Sequence, residues 1–130
     1  MQAEGQKGAD MYSLNYLYAA TGTSMIPTAT VEIKKGDKVS RQACFGDGPV
    51  DATFKAINEI VKEGVSLLDY QIKSVTKGEE AQGEVTLRIK KGRTEVNGRG
   101  VSTDIIEASA KAYLDALSKL DRAKAVKIRK

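Results

Sequence analysis

Polar and apolar residues alternate along three segments in the first third of the chain, which predicts β-strands at 12–20, 28–35 and 39–45. Turns separate these strands. Residues 21–24 (TGTS) follow the first, and Gly36-Asp37 follows the second, where a glycine accepts a positive φ. The second strand alternates most cleanly, and its predicted inward face consists of Ala29, Val31 and Ile33.

The first strand has apolar residues on both sides. A regular strand turns successive side chains to opposite faces, so odd and even positions separate. One predicted face consists of Leu14, Tyr16 and Tyr18, and the other includes Leu17 and Ala19. We therefore expect a strand that is partly apolar on each face.

After the third strand, apolar residues recur at intervals of three and four, which predicts a helix from Pro49 to about Glu63. Pro49 suits the first helical position, because the N–H that proline lacks would have no partner there. Gly48 is then the N-cap, and Gly64 is expected to end the helix. The apolar stripe of this helix consists of Val50, Phe54, Ile57 and Val61.

The second half of the chain repeats the order of the first, which indicates an internal duplication. Three landmarks recur with nearly constant spacing. They are LNY (14–16) and LDY (68–70), IKKG (33–36) and IKKG (89–92), and GDG (46–48) and GRG (98–100). The sequence therefore predicts an α+β fold of two pseudo-symmetric βββα units, with the helices packed on antiparallel sheets.

A second helix follows the second set of strands. Asp104, with Glu107 three residues later, resembles a capping box. The heavier stripe of this helix consists of Ile106, Ser109, Tyr113, Leu117 and Leu120. A neighbouring stripe of small residues consists of Ala108, Ala112 and Ala116. The small stripe allows close packing on a sheet or on a partner.

The predicted domain boundaries follow from these elements and from the charge. We expect a flexible lead-in or linker at 1–11, a domain at 12–120 with units at about 12–64 and 65–120, and a basic tail at 121–130. The tail holds five basic residues and one acid, so it accounts for the whole net charge of +4. The rest of the chain has no net basic balance, which argues against a nucleic-acid footprint. We interpret the tail as a solvated end or an expression remnant.

The composition excludes several kinds of site. The chain has no histidine and one cysteine among 130 residues, which excludes a zinc site and a Cys/His or Ser/His catalytic pair. Cys44 is interpreted as a structural thiol in a reducing compartment. No apolar run is long enough to span a membrane, and no charged-then-apolar leader opens the chain. We therefore expect a cytoplasmic, non-catalytic segment with no metal.

The turn Gly46-Asp47-Gly48 carries the chemistry that the sequence does indicate. Its two glycines leave the backbone amides bare at the start of a helix, where the free N–H groups and the helix dipole favour an anion. Asp51, in the first turn, has two possible roles: it can cap the helix, or it can hold an ammonium group. The alternative for the whole stretch is a well-capped turn without a ligand.

Three strings in order carry a family resemblance: GDGPVDATFKAI, LLDYQIKSVTKGEEAQGEV and GRGVSTDIIEASAKAYLDAL. They resemble the C-terminal regulatory domain of 2-isopropylmalate synthases and related citramalate synthases, over about residues 12–120. The resemblance implies a domain that dimerises and binds a branched-chain amino acid. Binding would inhibit a catalytic barrel elsewhere in the parent chain, which condenses acetyl-CoA with a 2-oxo acid.

The resemblance also implies an effector pocket. Its turn residues would be Asp47, Gly48, Val50 and Asp51, and its other walls Leu67, Tyr70, Ser74, Ala81 and Ile105. Ser74 departs from the family pattern, which has a small or apolar residue there. The pocket is aliphatic, and one methylene discriminates by only about 1–3 kcal/mol, so composition does not decide between leucine and isoleucine.

The resemblance leads to three alternatives. The first is a leucine-binding domain that mediates feedback inhibition and homodimer formation of a 2-isopropylmalate synthase. The second is its isoleucine-binding counterpart from a citramalate synthase, and the third is a dimerisation scaffold without ligand. We expect no cofactor in this segment, whereas the resemblance implies acetyl-CoA and a divalent metal for the parent enzyme. We expect neither a nucleic-acid nor a membrane partner.

Overall fold

The protein folds into two consecutive units of three strands and a helix. The computed structural model describes residues 11–77 and 80–129. The first unit contains β1 (Tyr12–Gly22), β2 (Met25–Lys35), β3 (Lys38–Phe45) and α1 (Pro49–Val61). The second contains β4 (Ser66–Lys77), β5 (Glu80–Lys91), β6 (Thr94–Ser102) and α2 (Ile105–Arg129). Each unit has one antiparallel sheet with its second strand in the centre, so the predicted α+β fold of two βββα units is confirmed.

The two helices lie side by side and run in the same direction. The ring of Phe54 lies 4.6 Å from that of Tyr113, whose hydroxyl donates a hydrogen bond to the Asn58 side chain at 2.7 Å. Further along both helices, Lys124 Nζ lies 2.9 Å from a carboxylate oxygen of Glu63, just after α1. Both helices therefore begin at one end of the domain. We call this the start end, and the end near Glu63 the far end.

One hydrophobic core joins the two units. α1 packs on β2 and β3, whereas α2 packs on β5 and β6 and also reaches β1 of the first unit. The predicted inward face of β2 is confirmed, since Ala29, Val31 and Ile33 are buried. Both predicted stripes of α2 also face this core, and their buried members are Ala108, Ser109, Ala112, Tyr113, Ala116, Leu117 and Leu120.

Two glycines of β6 let α2 approach the sheet closely. A Cβ on Gly98 would lie 2.0 Å from the carbonyl oxygen of Ala112, and one on Gly100 would lie 2.3 Å from that of Ala108. The stripe of small residues on α2 therefore faces a stripe without side chains on β6. The sequence prediction took these glycines as the counterpart of the turn at 46–48, which is wrong, because both lie inside a strand.

A β-bulge at Asn15 changes which residues of β1 face the core. Leu14 pairs with Ile33 and Leu17 pairs with Val31, so the extra residue between them puts both leucines on the inner face. Tyr16 and Tyr18 instead point outward, with 43% and 58% of their surface exposed. The predicted grouping of Leu14 with the two tyrosines is therefore wrong. The prediction failed because it assumed regular alternation, and the sequence pattern does not show where a bulge inserts a residue.

A second bulge, at Leu68 in β4, corrects the predicted repeat. Leu67 pairs with Ile89 and Tyr70 pairs with Leu87, as Leu14 and Leu17 pair with the equivalent residues of β2. Tyr70 therefore corresponds to Leu17, not to Tyr16. The predicted alignment of LNY (14–16) with LDY (68–70) is one residue out of register, because Leu14 corresponds to Leu67. The IKKG landmark does correspond, since both copies end a central strand at a hairpin glycine with positive φ.

Both helices end differently from the prediction. α1 ends at Val61, where Lys62 takes a left-handed conformation with φ of 52° and donates a hydrogen bond to the Asn58 carbonyl. α2 continues through the predicted basic tail as far as Arg129. No helix among the described residues is long and apolar enough to cross a membrane.

Candidate functional site

The start of α1 is a tight turn with an exposed backbone. A Cβ on Gly46 would lie 2.4 Å from the amide nitrogen of Ala52, so only glycine fits there. Gly48, the N-cap, has an extended φ of −159° that any residue adopts, and a Cβ on it would meet nothing within 4 Å. Gly46 therefore shapes the turn, whereas Gly48 leaves space open in front of the helix.

The first N–H groups of α1 have no side-chain cap in the described part of the chain. Pro49 lacks an N–H, so the first free donors belong to the residues that follow it. Together with the positive end of the helix dipole, they favour a negatively charged group in the open space. The predicted residues Gly48 and Val50 lie at this place.

Asp51 serves the turn. Its carboxylate accepts a hydrogen bond from the Asp47 N–H at 2.9 Å and lies 3.2 Å from Lys55 Nζ. The hydrogen bond from the Asp47 N–H lowers the pKa of Asp51 below its ordinary value, and Lys55 makes a smaller contribution in the same direction. The carboxylate of Asp51 therefore closes the turn that precedes the helix. The side chain of Asp47 is exposed beside it.

The remaining predicted residues lie on the inner face of the second sheet. Tyr70 and Ser74 pair with inward positions of β5, and the Tyr70 hydroxyl lies 2.6 Å from Ser109 Oγ on α2. Ile105, the first residue of α2, rests on Gly83, where a Cβ would lie 2.1 Å from its Cδ1. Leu67 and Ala81 occupy the same face by alternation.

The two groups of predicted residues meet at Phe54. Its ring approaches the ring of Tyr70 edge-on, with centroids 6.0 Å apart. Val50 lies one turn earlier on the same side of α1. The structure thus connects α1 to β4 through the rings of Phe54 and Tyr70, and we call the region between these two elements the α1–β4 cleft.

The wall of this cleft that β4 forms is incompletely covered. Leu67 and Ile72 are on its inner face but are 44% and 51% exposed. The equivalent strand β1 packs against α2, and its Leu14 and Leu17 lie against the core. Apolar surface is therefore available along β4, from Leu67 toward the far end to Ile72 nearer the start end.

The equivalent place at the start of α2 is already occupied by side chains. Asp104 caps the helix by accepting a hydrogen bond from the Ile106 N–H at 2.9 Å, as predicted. Glu107 accepts a hydrogen bond from the Ser102 hydroxyl at 2.9 Å. The Asp104 N–H does not donate to Glu107 but to Ser102 Oγ, at 3.1 Å. The predicted reciprocal bond of a capping box is therefore replaced by a bond through Ser102.

A cavity of about 310 Å³ separates this second helix start from β1. Asp104, Ile106 and Glu107 line it together with residues 14–17 and 19 of β1. The hydrogen bond from Ser102 lowers the pKa of Glu107 below its ordinary value, and Lys111 makes a smaller contribution in the same direction. The carboxylate is therefore charged at neutral pH. Two carboxylates at a capped helix end disfavour an anion.

Three further residues shape the α1–β4 cleft and were not predicted as part of it. Phe54 was placed in the helical stripe only, and Ser109 was assigned to the second stripe. Gly83 had a usable signal, because a glycine inside a strand often marks a close approach. Cys44 is half-buried on β3, and burial raises the pKa of its thiol, which suits the predicted structural role.

Residues 1–121 match the family described as the LeuA allosteric (dimerisation) domain. The 2-isopropylmalate synthase of Carboxydothermus hydrogenoformans is 52% identical over 122 residues, which cover 92% of this chain and 24% of that protein. Those of Heliobacterium modesticaldum and Nitrosospira multiformis are 47% and 48% identical, covering 85% and 84% of this chain and 22% and 21% of the relatives. The chain thus spans about a quarter of the length of these relatives. It belongs to the family of the LeuA allosteric (dimerisation) domain.

Proposed function

We propose that this chain binds leucine and mediates both end-product feedback inhibition and homodimer formation of a 2-isopropylmalate synthase. Membership of an allosteric domain family and relatives that bear that enzyme's name support this proposal. The catalytic barrel, with its acetyl-CoA and divalent metal, would belong to the rest of a parent chain in the cytoplasm. This segment would carry no catalytic residue of its own.

The observation that carries the proposal is the contrast between the two helix starts. α1 begins without a side-chain cap, and its Phe54 contacts β4, which carries half-exposed apolar residues, whereas α2 begins with Asp104 as its cap. Both starts belong to equivalent positions of a duplicated unit. Leaving the first N–H groups of a helix without partners is unfavourable, so an open helix end suits a ligand that supplies the acceptor.

An α-amino acid fits the chemistry of the α1–β4 cleft. Its carboxylate would take the first free N–H groups of α1, and its ammonium group would take the exposed carboxylate of Asp47. Its aliphatic side chain would lie against Tyr70 and Ile105. Leu67, which pairs with Ile89 six residues along β5 from Gly83, would line the cleft farther from the helix start. Val50, Ser74 and Ala81 would complete the walls, and Asp51 would hold the turn in shape.

Inhibition requires that the effector bind one arrangement of the domain better than another. Couplings of this kind are typically about 1–3 kcal/mol, or five- to 150-fold in affinity. A ligand that bridges α1 and β4 would favour a closed arrangement of the two units. The half-exposed inner face of β4 also offers apolar surface to a second copy, so dimer formation and effector binding would be linked.

Isothermal titration of the chain with leucine, isoleucine and valine tests the proposal. We expect leucine to bind at least about tenfold more tightly than isoleucine, as a pocket shaped for one aliphatic isomer allows. The reverse order would identify the isoleucine-binding alternative. A folded dimer that gives no heat with any of the three would contradict ligand binding and leave only a scaffold.

A matched pair of variants then tests the place of binding. Gly48→Ala should fold normally, because its φ suits alanine and its Cβ meets nothing, yet it should weaken leucine binding by filling the space before the helix. Asp104→Ala at the equivalent position should lose about 0.5–2 kcal/mol of stability, the usual cost of a lost cap, and bind leucine normally. Gly48→Ala with unchanged affinity would remove the helix start from the site.

A further inference from the structure

Two lysines at the far end of the domain occupy equivalent positions in the two units. Lys35 is the last residue of β2, and Lys91 is the last residue of β5. Each central strand therefore ends in a cation beside its hairpin glycine. Asp121, on α2, and Glu63, just after α1, lie close to these lysines.

Each lysine pairs with an acid from the other unit. Lys35, in the first unit, forms an ion pair with Asp121 on α2, and its Nζ lies 4.6 Å from the centre of the Tyr12 ring. Lys91, in the second unit, lies 2.7 Å from Glu63, just after α1. We call these two contacts the crossed ion pairs.

The acids of the crossed ion pairs are well covered. The side chains of Asp121 and Glu63 are only 17% and 14% exposed. Lys124 Nζ contacts both oxygens of Glu63, at 2.9 and 3.1 Å, so this carboxylate has two cationic partners. Partly buried pairs are screened less by salt than exposed ones, and losing one partner leaves a charge unpaired.

Glu32 and Glu84 pair with arginines of their own sheet and are equally well covered, at 17% and 16% exposed, whereas the acids of the other described ion pairs within one unit are more exposed. In the pair between Arg88 and Glu95 of the second sheet, both side chains are 47% exposed and the charged atoms are 3.8 Å apart. Pairs of this kind typically contribute little. The crossed ion pairs are therefore distinguished from this pair by burial as well as by the units that they connect.

We propose that the crossed ion pairs fix the two units against each other at the far end. They thereby set the width of the α1–β4 cleft at the start end. Lys35 and Lys91 are then positioning residues for the effector site. This inference rests on the proposed function only in naming the effector. α1 has 13 residues and is about 20 Å long at 1.5 Å per residue. A small rotation of one unit about the far end therefore moves the cleft walls by an ångström or more.

The first experiment measures, without any ligand, the separation of the two units at the start end. Spin labels go on Thr23→Cys, in the turn between β1 and β2, and on Lys73→Cys, on the exposed face of β4, in a Cys44→Ala background. Labelled chain is diluted with unlabelled chain to suppress distances between subunits. We expect the Lys35→Gln/Lys91→Gln double variant to give a broader and longer distance distribution.

Arg88→Gln, which removes a pair within one unit, is the matched control and should leave the distribution unchanged. A charge exchange in one pair, Lys35→Asp with Asp121→Lys, keeps Lys91 native. This variant should give a spin-label distance distribution close to that of the native chain. An unchanged distribution in the folded double variant would overturn the proposal, as would an equal broadening in Arg88→Gln.

The second experiment connects the crossed ion pairs to the effector. We expect the double variant to bind leucine at least about fivefold more weakly and with less dependence on salt than the native chain, in the range usual for coupled sites. Native affinity combined with a wider cleft would overturn the positioning role. Absence of leucine binding to the native chain would overturn the proposed function, while the distance measurement would still decide whether the far end fixes the units.

Discussion

The two helices occupy equivalent positions in a duplicated unit, yet they have become different kinds of element. α2 is buried along much of its length, lies against two strand glycines and has its first turn capped. α1 packs on its own sheet, but its start is uncapped and its partner strand β4 is half-exposed. Duplication therefore allows a division of roles. One copy of the helix holds both units together, and the other keeps its start accessible.

The largest expected difference between the two helices is in the stability that their side chains supply. Leu117 on α2 is 1% exposed, whereas its equivalent on α1, Val61, is half-buried. We expect Leu117→Ala to lower the free energy of unfolding by about 2–5 kcal/mol, the range for a buried leucine. Val61→Ala should cost less than half as much. Urea unfolding measures both, and equal losses would show that α1 is as much a core helix as α2.

The close approach of α2 to β6 gives the next largest effect. A methyl group on Gly98 meets the backbone of α2, so we expect Gly98→Ala to destabilise by about 1–3 kcal/mol through overpacking. The equivalent residue in β3 is Gln42, which is exposed, and Gln42→Ala should change stability only slightly. A native urea midpoint for Gly98→Ala would mean that α2 shifts away from the sheet at no cost.

The equivalent strand residues Tyr70 and Leu17 both pack against the core, but Tyr70 also faces the α1–β4 cleft. Tyr70→Ala removes a wall of the α1–β4 cleft and the contact to Ser109, so we expect leucine affinity to fall by at least about tenfold, or 1.4 kcal/mol. The side chain of Leu17 lies against the core. Leu17→Ala should therefore lower the melting temperature while leaving the leucine affinity of the folded protein unchanged. Titration calorimetry and thermal unfolding measure the two effects. Unchanged affinity in folded Tyr70→Ala would remove β4 from the site.

The smallest expected effect concerns the acids of the first helical turns. The pKa of Asp51 and that of Glu107 lie below their ordinary values in the folded protein, through the Asp47 N–H and the Ser102 hydroxyl respectively. Each acid therefore contributes stability above its unfolded pKa of about 4, and this contribution is lost as the pH falls through the lower folded value. Both side chains are about two-fifths exposed, so we expect a few tenths of a kcal/mol from each.

Urea unfolding at pH 7 and pH 3 measures this contribution. Asp51→Asn and Glu107→Gln should each show a smaller loss between the two pH values than the native chain. Asp51→Asn alone should also alter leucine binding, because it loosens the turn before α1. Equal effects of both variants on leucine binding would remove the proposed difference between the two helix starts.

Local patterns predicted most of the fold. The alternation in β2, the proline at the start of α1 and the two hairpin glycines are short-range signals, and the structure confirms the elements that they predict. The bulges at Asn15 and Leu68 had no such signal, because one added residue leaves the composition of a strand unchanged. The pair Gly98 and Gly100 was misplaced because a glycine that admits a neighbouring helix resembles a glycine that makes a turn.

The candidate site was located through its resemblance to a family and could not be built from local patterns. Nothing in the sequence near β4 shows that α1 leaves Leu67 and Ile72 half-exposed, since that depends on how two distant units pack. The different treatment of the two helix starts was partly visible, because Gly48 has no side chain and Asp104 does. The crossed ion pairs join residues 86 and 28 positions apart, a separation at which sequence pattern carries no information.

The backbone N–H of Tyr12 donates a hydrogen bond to Ser118 Oγ at 2.9 Å, so the first strand is held by the last helix across 106 positions. During synthesis, β1 leaves the ribosome long before α2 exists. The inner face of the first sheet therefore stays incompletely covered until α2 has been synthesised. Such late, long-range closure slows folding, and it makes the nascent first unit a natural client for chaperones that hold exposed apolar strands.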